Sequence, residues 1–133
     1  MNEIERILRE SRNIAVVGCS TNPAKEAHKV PLYMKMQGYK IIPVNPFAEE
    51  ILGEKAYKKL EDIPGEIDIV NVFRPAEEAP GIAEEAIGKK AKVLWLQLGI
   101  YNKEAGEKAE KAGLKVIMNR CIKREHERLI GSK

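Results

Sequence analysis

The stretch that decides the fold is residues 14–25, which read IAVVGCSTNPAK. It begins with a continuous apolar run, which is typical of a strand buried on both faces of a parallel sheet. Gly18 follows the run, and a glycine there lets a backbone or a ligand approach closely. Small polar residues and then helical spacing come next, and a helix N-terminus attracts phosphate through its unpaired N–H groups. The stretch predicts a phosphate-binding strand–loop–helix, although its simplest interpretation is the first strand–helix turn of any α/β domain.

Strands and helices alternate through the rest of the chain. Apolar runs predict strands at residues 14–18, 40–44, 67–73, 92–96 and 114–118. Helical spacing predicts helices at 2–11, between Lys25 and Gly38, from Pro80 past Ile87, between Asn102 and Gly113, and at 122–130. This alternation predicts a Rossmann-like, doubly wound α/β fold, whose five-stranded, mainly parallel sheet carries helices on both faces. Residues 1–133 are expected to form a single domain.

Two segments are less regular. Residues 47–66 are expected to be irregular, with a turn at Gly53 and one helical turn within 57–63. Pro31 is tolerated only in the first turn of a helix or at a kink. The second helix therefore begins near Lys25 and bends, or it begins later.

Composition restricts the class of protein. The 133 residues are 44% hydrophobic and 32% charged, which is ordinary for a globular protein. No apolar run approaches the ~18 residues that a transmembrane helix needs, so no membrane partner is expected. The first thirteen residues lack the apolar core of a signal peptide, which predicts a cytoplasmic protein. A net charge of +3 is weak support for a polyanionic partner.

Reactive and metal-binding side chains are few. Cys19 and Cys121 with His28 and His126 make a poor metal set, so no metal site is expected. Each cysteine is most simply a small buried hydrophobe. A reactive Cys19 is the alternative, because a nearby helix N-terminus would lower the pKa of its thiol. Both histidines fall in charged helices and are expected at the surface or half-buried, and no catalytic residue is assigned.

Ligands of such sheets bind beyond the carboxyl ends of the strands. The residues at those ends are Gly18 to Lys25, Val44 to Pro46, Phe73 and Arg74, Gln97 to Gly99, and Asn119 to Cys121. They supply backbone donors, cations, amides and an aromatic ring, but no carboxylate. The set is suited to an anionic ligand with a flat ring and poorly suited to acid–base chemistry.

Two other functions compete with this interpretation. An NAD(P)-binding redox protein would need a G-x-G-x-x-G loop and an acidic residue after the second strand, whereas this chain has one glycine and Asn45. A basic nucleic-acid-binding module would use the cations of the last helix. Glu125 and Glu127 interrupt those cations, and no aromatic residue is interleaved for base stacking.

Five stretches carry a family resemblance. They are VVGCS at 16–20 followed by Asn22-Pro23, GYKIIPVNP at 38–46, VFR at 72–74, WLQLG at 95–99, and RCI at 120–122 followed by Glu125-His126. Together they resemble the stand-alone CoA-binding proteins, which are related to the CoA-binding domain of the succinyl-CoA synthetase alpha subunit. The resemblance extends from Ile14 to about Leu129. Ala27 departs from the family's frequent serine, and Asn71 and Asn119 depart from its frequent aspartates.

The resemblance implies that the chain binds coenzyme A or an acyl-CoA. The phosphates would be held by Gly18, Cys19, Ser20, Thr21, Asn22 and Pro23, through backbone N–H groups and the two hydroxyls. Lys40 matches a lysine that contacts CoA. Asn45 and Pro46 would lie beside the adenine end, next to Val44 at the end of its strand, and Phe73 and Arg74 would flank the pantetheine or the adenine. Leu96, Gln97 and Leu98 match a segment near the pantetheine arm, and Gly99 follows them past the strand end. Lys25 is added because of its place near a helix N-terminus.

The same resemblance bears on catalysis. The synthetase reaction needs a phosphorylated histidine from a second domain, which this sequence does not supply, so a binding module without catalysis of its own is expected. A partner enzyme or a homo-oligomer fits that expectation. Free CoA, an acyl-CoA and a mixed disulfide remain open as the bound form.

Overall fold

A computed structural model of the chain describes residues 1–131, so Ser132 and Lys133 of the predicted domain lie outside the described residues. The strands are β1 (Asn13–Val17), β2 (Lys40–Val44), β3 (Glu50–Ile51), β4 (Glu54–Lys55), β5 (Ile69–Val72), β6 (Val93–Leu96) and β7 (Lys115–Ile117). The helices are α1 (Glu3–Glu10), α2 (Glu26–Met36), α3 (Ala79–Gly88), α4 (Lys103–Lys111) and α5 (Ile122–Leu129). Two short 3₁₀ turns cover Leu60–Asp62 and Ala76–Glu78.

The main sheet has the order β2-β1-β5-β6-β7, and all of its pairs are parallel. The chain runs from β1 outwards to β2 and then returns to the other side of β1 to form β5. Val17, the last residue of β1, pairs with Val44 of β2 and with Val72 of β5. The strand order therefore reverses beside β1, which is where open α/β sheets bind ligands.

Helices cover both faces of the sheet. Small residues such as Ala83 and Ala105 let α3 and α4 pack closely together on one face. Ile7, Met34 and Ile122 bring α1, α2 and α5 onto the other face. Burial of such apolar faces is the main favourable contribution to folding, and the arrangement confirms the predicted Rossmann-like architecture.

Helix α2 begins at Glu26 and contains Pro31, which settles the question that the sequence left open. In a regular helix the N–H of residue 31 would donate to the carbonyl of Ala27, but proline has no N–H. The Ala27 carbonyl instead accepts a hydrogen bond of 3.0 Å from the backbone N–H of Ser20. The proline thus frees an acceptor inside the helix that anchors the preceding loop.

The segment expected to be irregular holds a small hairpin, β3–β4. Leu52 and Gly53 form its turn with positive φ angles of 57° and 75°. Tyr57 then pairs with the end of β2, because Asn45 N donates to Tyr57 O and Tyr57 N donates to Pro43 O, each at 2.9 Å. The 3₁₀ turn that follows confirms the predicted helical turn.

Two features are absent from residues 1–131. No helix there is long and apolar enough to cross a bilayer. No group of three or more His, Cys, Asp or Glu side chains there could hold a metal ion.

Candidate functional site

A cavity of about 490 Å³ opens at the carboxyl ends of β1, β2 and β5. Several predicted site residues line it, namely Gly18, Cys19, Ser20, Lys25, Val44, Asn45, Pro46, Phe73 and Arg74. The remaining lining residues are Val17, Ala27, Phe47, Lys58, Lys59, Leu60, Glu78, Ile82 and Glu85. The structure thus gathers four separate stretches of the sequence, within 17–27, 44–47, 58–60 and 73–85, around one space.

Gly18 stands where β1 and β5 converge. Its φ is 86°, and its N–H donates to Val44 O at 3.0 Å. A Cβ at this position would lie 2.9 Å from both the Phe73 carbonyl oxygen and the Arg74 Cδ. Only glycine fits, because other residues strain at this φ and their Cβ would collide with the end of β5.

The rest of the loop is held by its own polar groups. Ser20 Oγ accepts from Asn22 N, and Asn22 Oδ1 accepts from Ala24 N, each at 3.0 Å. The Ser20 carbonyl accepts from the Nδ1 of half-buried His28 at 2.7 Å. Thr21, Asn22 and Pro23 lie exposed on the outer side of the loop and do not line the cavity.

The carboxyl end of β2 is fixed by the side chain of Asn45. Its Nδ2 donates to Cys19 O at 2.9 Å, and its Oδ1 accepts from Phe47 N at 2.8 Å. The amide therefore joins the loop to the end of β2 and fixes the backbone turn at Pro46. Phe47, which was not predicted from the sequence, projects from this turn with 95% of its surface exposed. Its place directly after Asn45-Pro46 was the signal that could have identified it.

Two cationic side chains of the cavity were also not predicted from the sequence. Lys58 and Lys59 line the cavity because the pairing of Tyr57 with Val44 brings this segment beside the end of β2. Lys59 Nζ lies 3.7 Å from Glu61 Oε1, and both side chains are mostly exposed. Such an exposed pair contributes little, so the charge of Lys59 remains available to a ligand.

Arg74 is bound to a carboxylate of the same cavity. Its Nε and Nη2 donate to Glu78 Oε1 and Oε2 at 3.0 and 2.7 Å. This bidentate hydrogen bond raises the pKa of Arg74 and lowers that of Glu78. Any anion that reaches Arg74 must compete with Glu78.

The α3 side of the cavity is acidic, which the strand-end residues did not reveal. Glu85 lies there together with Glu78. Burial and the charge of Glu61 raise the pKa of Glu85, and Lys59 opposes them. Both acids come from the helical segments that follow β5, while the strand-end residues themselves carry no carboxylate.

Cys19 faces the apolar cluster beneath α1, α2 and α5 and is completely buried. Burial raises the pKa of its thiol to about 12, against a smaller opposing effect of the Ser20 backbone hydrogen bond. The alternative in which a helix N-terminus activates this thiol is therefore wrong, because loss of hydration on burial has the largest effect on its pKa. Cys19 is thus a packing residue in the wall of the cavity.

Lys40 does not lie with the other predicted site residues. It is the first residue of β2 and pairs with Asn13, the first residue of β1. Parallel strands align their amino ends, so Lys40 lies at the opposite edge of the sheet from Gly18. It lines a separate small cavity with Glu54 and Ile63.

The segment after β6 shares the correct edge of the sheet but does not line the cavity. Leu96 is buried, and the buried Gln97 Oε1 accepts from Asn71 Nδ2 at 3.1 Å and from Ile122 N at 2.9 Å. Gly99 N donates to Asn119 Oδ1 at 2.7 Å, while Leu98 is 54% exposed. In this structure Gln97 joins β5, β6 and α5.

One expectation about the histidines is wrong. His126 is buried, and its Nδ1 lies 2.8 Å from the Tyr33 hydroxyl. Its ring also packs edge-on against Tyr33 and Tyr39. The charged sequence around it hid this contact, because a helix rich in charged residues gives little sign of which polar side chain it buries.

Comparison with known proteins places these features in a family. Residues 12–127 match the family described as "CoA binding domain". The uncharacterized protein YneT of Bacillus subtilis is 49% identical over 124 residues, which cover 93% of this chain and 92% of YneT. A hypothetical protein from Pyrococcus horikoshii OT3 has a solved structure with a TM-score of 0.94 and 45% identity, over 97% of this chain and 91% of that one.

An enzyme subunit contains a related segment. The alpha subunit of acetate–CoA ligase [ADP-forming] II from Pyrococcus furiosus is 34% identical over 122 residues, covering 84% of this chain but only 27% of the subunit. The resemblance seen in the sequence is thus confirmed over nearly the whole chain. Gly18, Asn45 and Arg74 meet at one edge of the sheet, within the matched residues 12–127. This chain belongs to the CoA binding domain family.

Proposed function

We propose that the chain binds coenzyme A or an acyl-CoA in the cavity at the carboxyl ends of β1, β2 and β5. The observation that carries this proposal is the convergence of the Gly18 loop, the Asn45–Phe47 turn and three lysines around one space of about 490 Å³. This size lies within the usual range of small-molecule sites. Membership of the CoA binding domain family supports the same ligand.

The ligand's pyrophosphate would lie against the loop and the N-terminus of α2. The first N–H groups of a helix have no partner within the helix, and their dipoles favour negative charge. Gly18 lets the ligand approach the backbone, and Lys25 stands at the N-cap of α2 and lines the cavity. These groups would bind the phosphates through backbone N–H donation and through the positive charge of Lys25.

The adenine ring would lie at the end of β2. Pro46 and the exposed ring of Phe47 offer flat apolar surfaces there. A ring exposed to this degree gains burial and aromatic contact when a planar base covers it. Phe73, which is half-buried on the other side of Gly18, would flank the ligand where it crosses the switch point.

This chain is proposed to bind its ligand without transforming it. The charged side chains of the cavity are engaged in pairs or stand exposed, and its thiol has a pKa of about 12. No general acid or nucleophile is assigned among residues 1–131. Delivery of the bound ligand to a partner enzyme is consistent with the ligase relative, in which the matching segment forms about a quarter of the subunit.

Calorimetry with purified protein tests the proposal. CoA should bind, and NAD should bind weakly or not at all, because the loop has one glycine and the end of β2 has no carboxylate for ribose hydroxyls. Arg74→Ala should weaken CoA binding, whereas Lys40→Ala, at the other edge of the sheet, should leave it unchanged. Equal affinity for NAD and CoA, or no binding of CoA, would refute the proposal.

A further inference from the structure

We infer that Lys58 and Lys59 form a subsite for the 3′-phosphate of the ligand, so that the protein selects 3′-phosphorylated adenosine nucleotides. The inference rests on the proposed function and adds the residues that determine its specificity. Its starting point is the position of this pair in the fold, which the sequence does not reveal.

The backbone on either side of the two lysines is anchored. The backbone N–H of Tyr57 donates to Pro43 O in β2, and the Tyr57 carbonyl accepts from the N–H of Asn45, the residue after β2. Leu60 follows the pair, begins a 3₁₀ turn and is 1% exposed. Lys58 and Lys59 are thus held between two fixed points at the end of β2, beside the Asn45–Phe47 turn.

Their charges are available to a ligand. Within residues 1–131 Lys58 forms no ion pair, and the contact of Lys59 with Glu61 is long and exposed. Arg74, by contrast, is already bound to Glu78 in a bidentate pair. Lys58 and Lys59 thus supply two ammonium groups to the same cavity, and Lys59 has only an exposed contact with Glu61. Together they are suited to a single phosphomonoester, which carries about −1.5 to −2 charges at neutral pH.

The charge distribution of the cavity gives the ligand an orientation. Lys25 and the α2 N-terminus form one cationic region, suited to the pyrophosphate, and Lys58 with Lys59 forms a second at the adenine end. Glu78 and Glu85 make the α3 wall acidic, and they would repel a phosphate placed there. A ligand with two separated phosphate groups matches this pattern, and a 3′-phosphorylated adenosine 5′-diphosphate carries two such groups.

The test compares CoA with dephospho-CoA, which lacks only the 3′-phosphate. In the parent protein CoA should bind more tightly, and the preference should shrink as salt is added, because exposed charges are screened. In Lys58→Gln/Lys59→Gln the Kd for CoA should rise roughly ten-fold, the upper range for two exposed ion pairs, while that for dephospho-CoA should change less than about two-fold. The arginine pair Lys58→Arg/Lys59→Arg should keep the preference.

A matched control removes the same charge elsewhere. Lys103→Gln/Lys111→Gln changes two exposed lysines of α4 that do not line the cavity, and it should leave both affinities unchanged. If the Lys58/Lys59 variant lost the same affinity for both ligands, the inference would be overturned, but the proposed function of CoA binding would stand. Absence of binding by either ligand to the parent would instead refute the proposed function. The single changes Lys58→Gln and Lys59→Gln give the same comparison if the double variant is poorly folded.

Discussion

The Arg74 Cδ lies 2.9 Å from the point at which a β-carbon on Gly18 would sit, and the Phe73 carbonyl oxygen is equally near. The ends of β1 and β5 therefore approach so closely that only a hydrogen atom fits between them. This contact places the side chain of Arg74 against the start of the loop proposed to bind phosphate.

Gly18→Ala should destabilise the protein and weaken CoA binding. The left-handed backbone alone costs an alanine about 1–2 kcal/mol, and the collision with Phe73 O adds to that cost. Urea unfolding followed by the fluorescence of Trp95, the single tryptophan and a fully buried one, would measure the change.

Gly81→Ala is the matched control for that experiment. Gly81 lies in α3 without a positive φ, and a β-carbon added to it would have nothing within 4 Å. The change should stabilise the fold by about 0.4–1 kcal/mol, because it reduces the freedom of the unfolded chain. A Gly18→Ala protein as stable as the parent would contradict the close approach described here.

Glu78→Gln should tighten CoA binding. It removes the carboxylate that competes for Arg74 and one negative charge from the cavity. Because the pair is half-exposed, the gain should be modest, about two- to five-fold in Kd. Glu77→Gln, next to it but outside the cavity lining, should have a smaller effect, and calorimetry that found no difference between the two variants would count against the competition.

Cys19 should react slowly with a thiol reagent in the native protein. Burial raises its pKa to about 12, so very little thiolate is present near neutral pH. Cys121 is half-buried and should be modified first, and denaturant should expose both thiols. Mass spectrometry of the modified peptides distinguishes the two sites, and early labelling of Cys19 would disprove this assignment.

Asp68 should make stability depend on acid. Burial alone would raise the pKa of this carboxyl. The N–H groups of Asn13 and Arg12 and the charge of Lys92 lower the pKa by more, so the net change is a decrease. A folded-state pKa below the unfolded value of about 3.9 means that the carboxylate stabilises the fold above that pH. This stability is lost as the pH falls through the folded-state pKa.

Asp68→Asn should therefore destabilise the protein by about 1–3 kcal/mol near neutral pH, because two part-buried backbone N–H groups, of Arg12 and Asn13, lose their charged acceptor. The difference from the parent should shrink in acid, where the parent's carboxyl is itself protonated. Asp62→Asn, at an exposed position, should show neither effect. Unfolding curves at several pH values would reveal a constant difference if the assignment were incorrect.

The parts predicted from the sequence share a physical reason. The central strands β1, β5 and β6 are mostly apolar and buried, and the edge strands β2 and β7 are apolar after their first lysine, so their runs stand out in the sequence. The alternation with helices then predicts the parallel arrangement. The β3–β4 hairpin was missed because two residues per strand leave no periodicity to detect. Lys58 and Lys59 reach the cavity only through the pairing of Tyr57 with Val44, which is a tertiary contact.

The strand-end rule also had a definite limit. It gives the edge of the sheet but not the depth of a side chain, so Gln97 was predicted at the site although it is buried among Asn71 and Ile122. Lys40 was assigned through the resemblance alone. Its place as the first residue of a parallel strand already put it at the other edge, and strand direction could have excluded it from the cavity.

Pro31 has a consequence for the cooperativity of this region. Since the hydrogen bond that α2 cannot make internally runs from Ser20 to Ala27, the loop and the first turns of the helix cannot open independently. In hydrogen exchange the Ser20 amide should thus report on the helix, although it lies in a loop. Occupation of the loop by a ligand would therefore slow amide exchange in α2 as well. The far end of this helix lies at the opposite edge of the sheet from the ligand, so the effect of binding on exchange would extend across the domain.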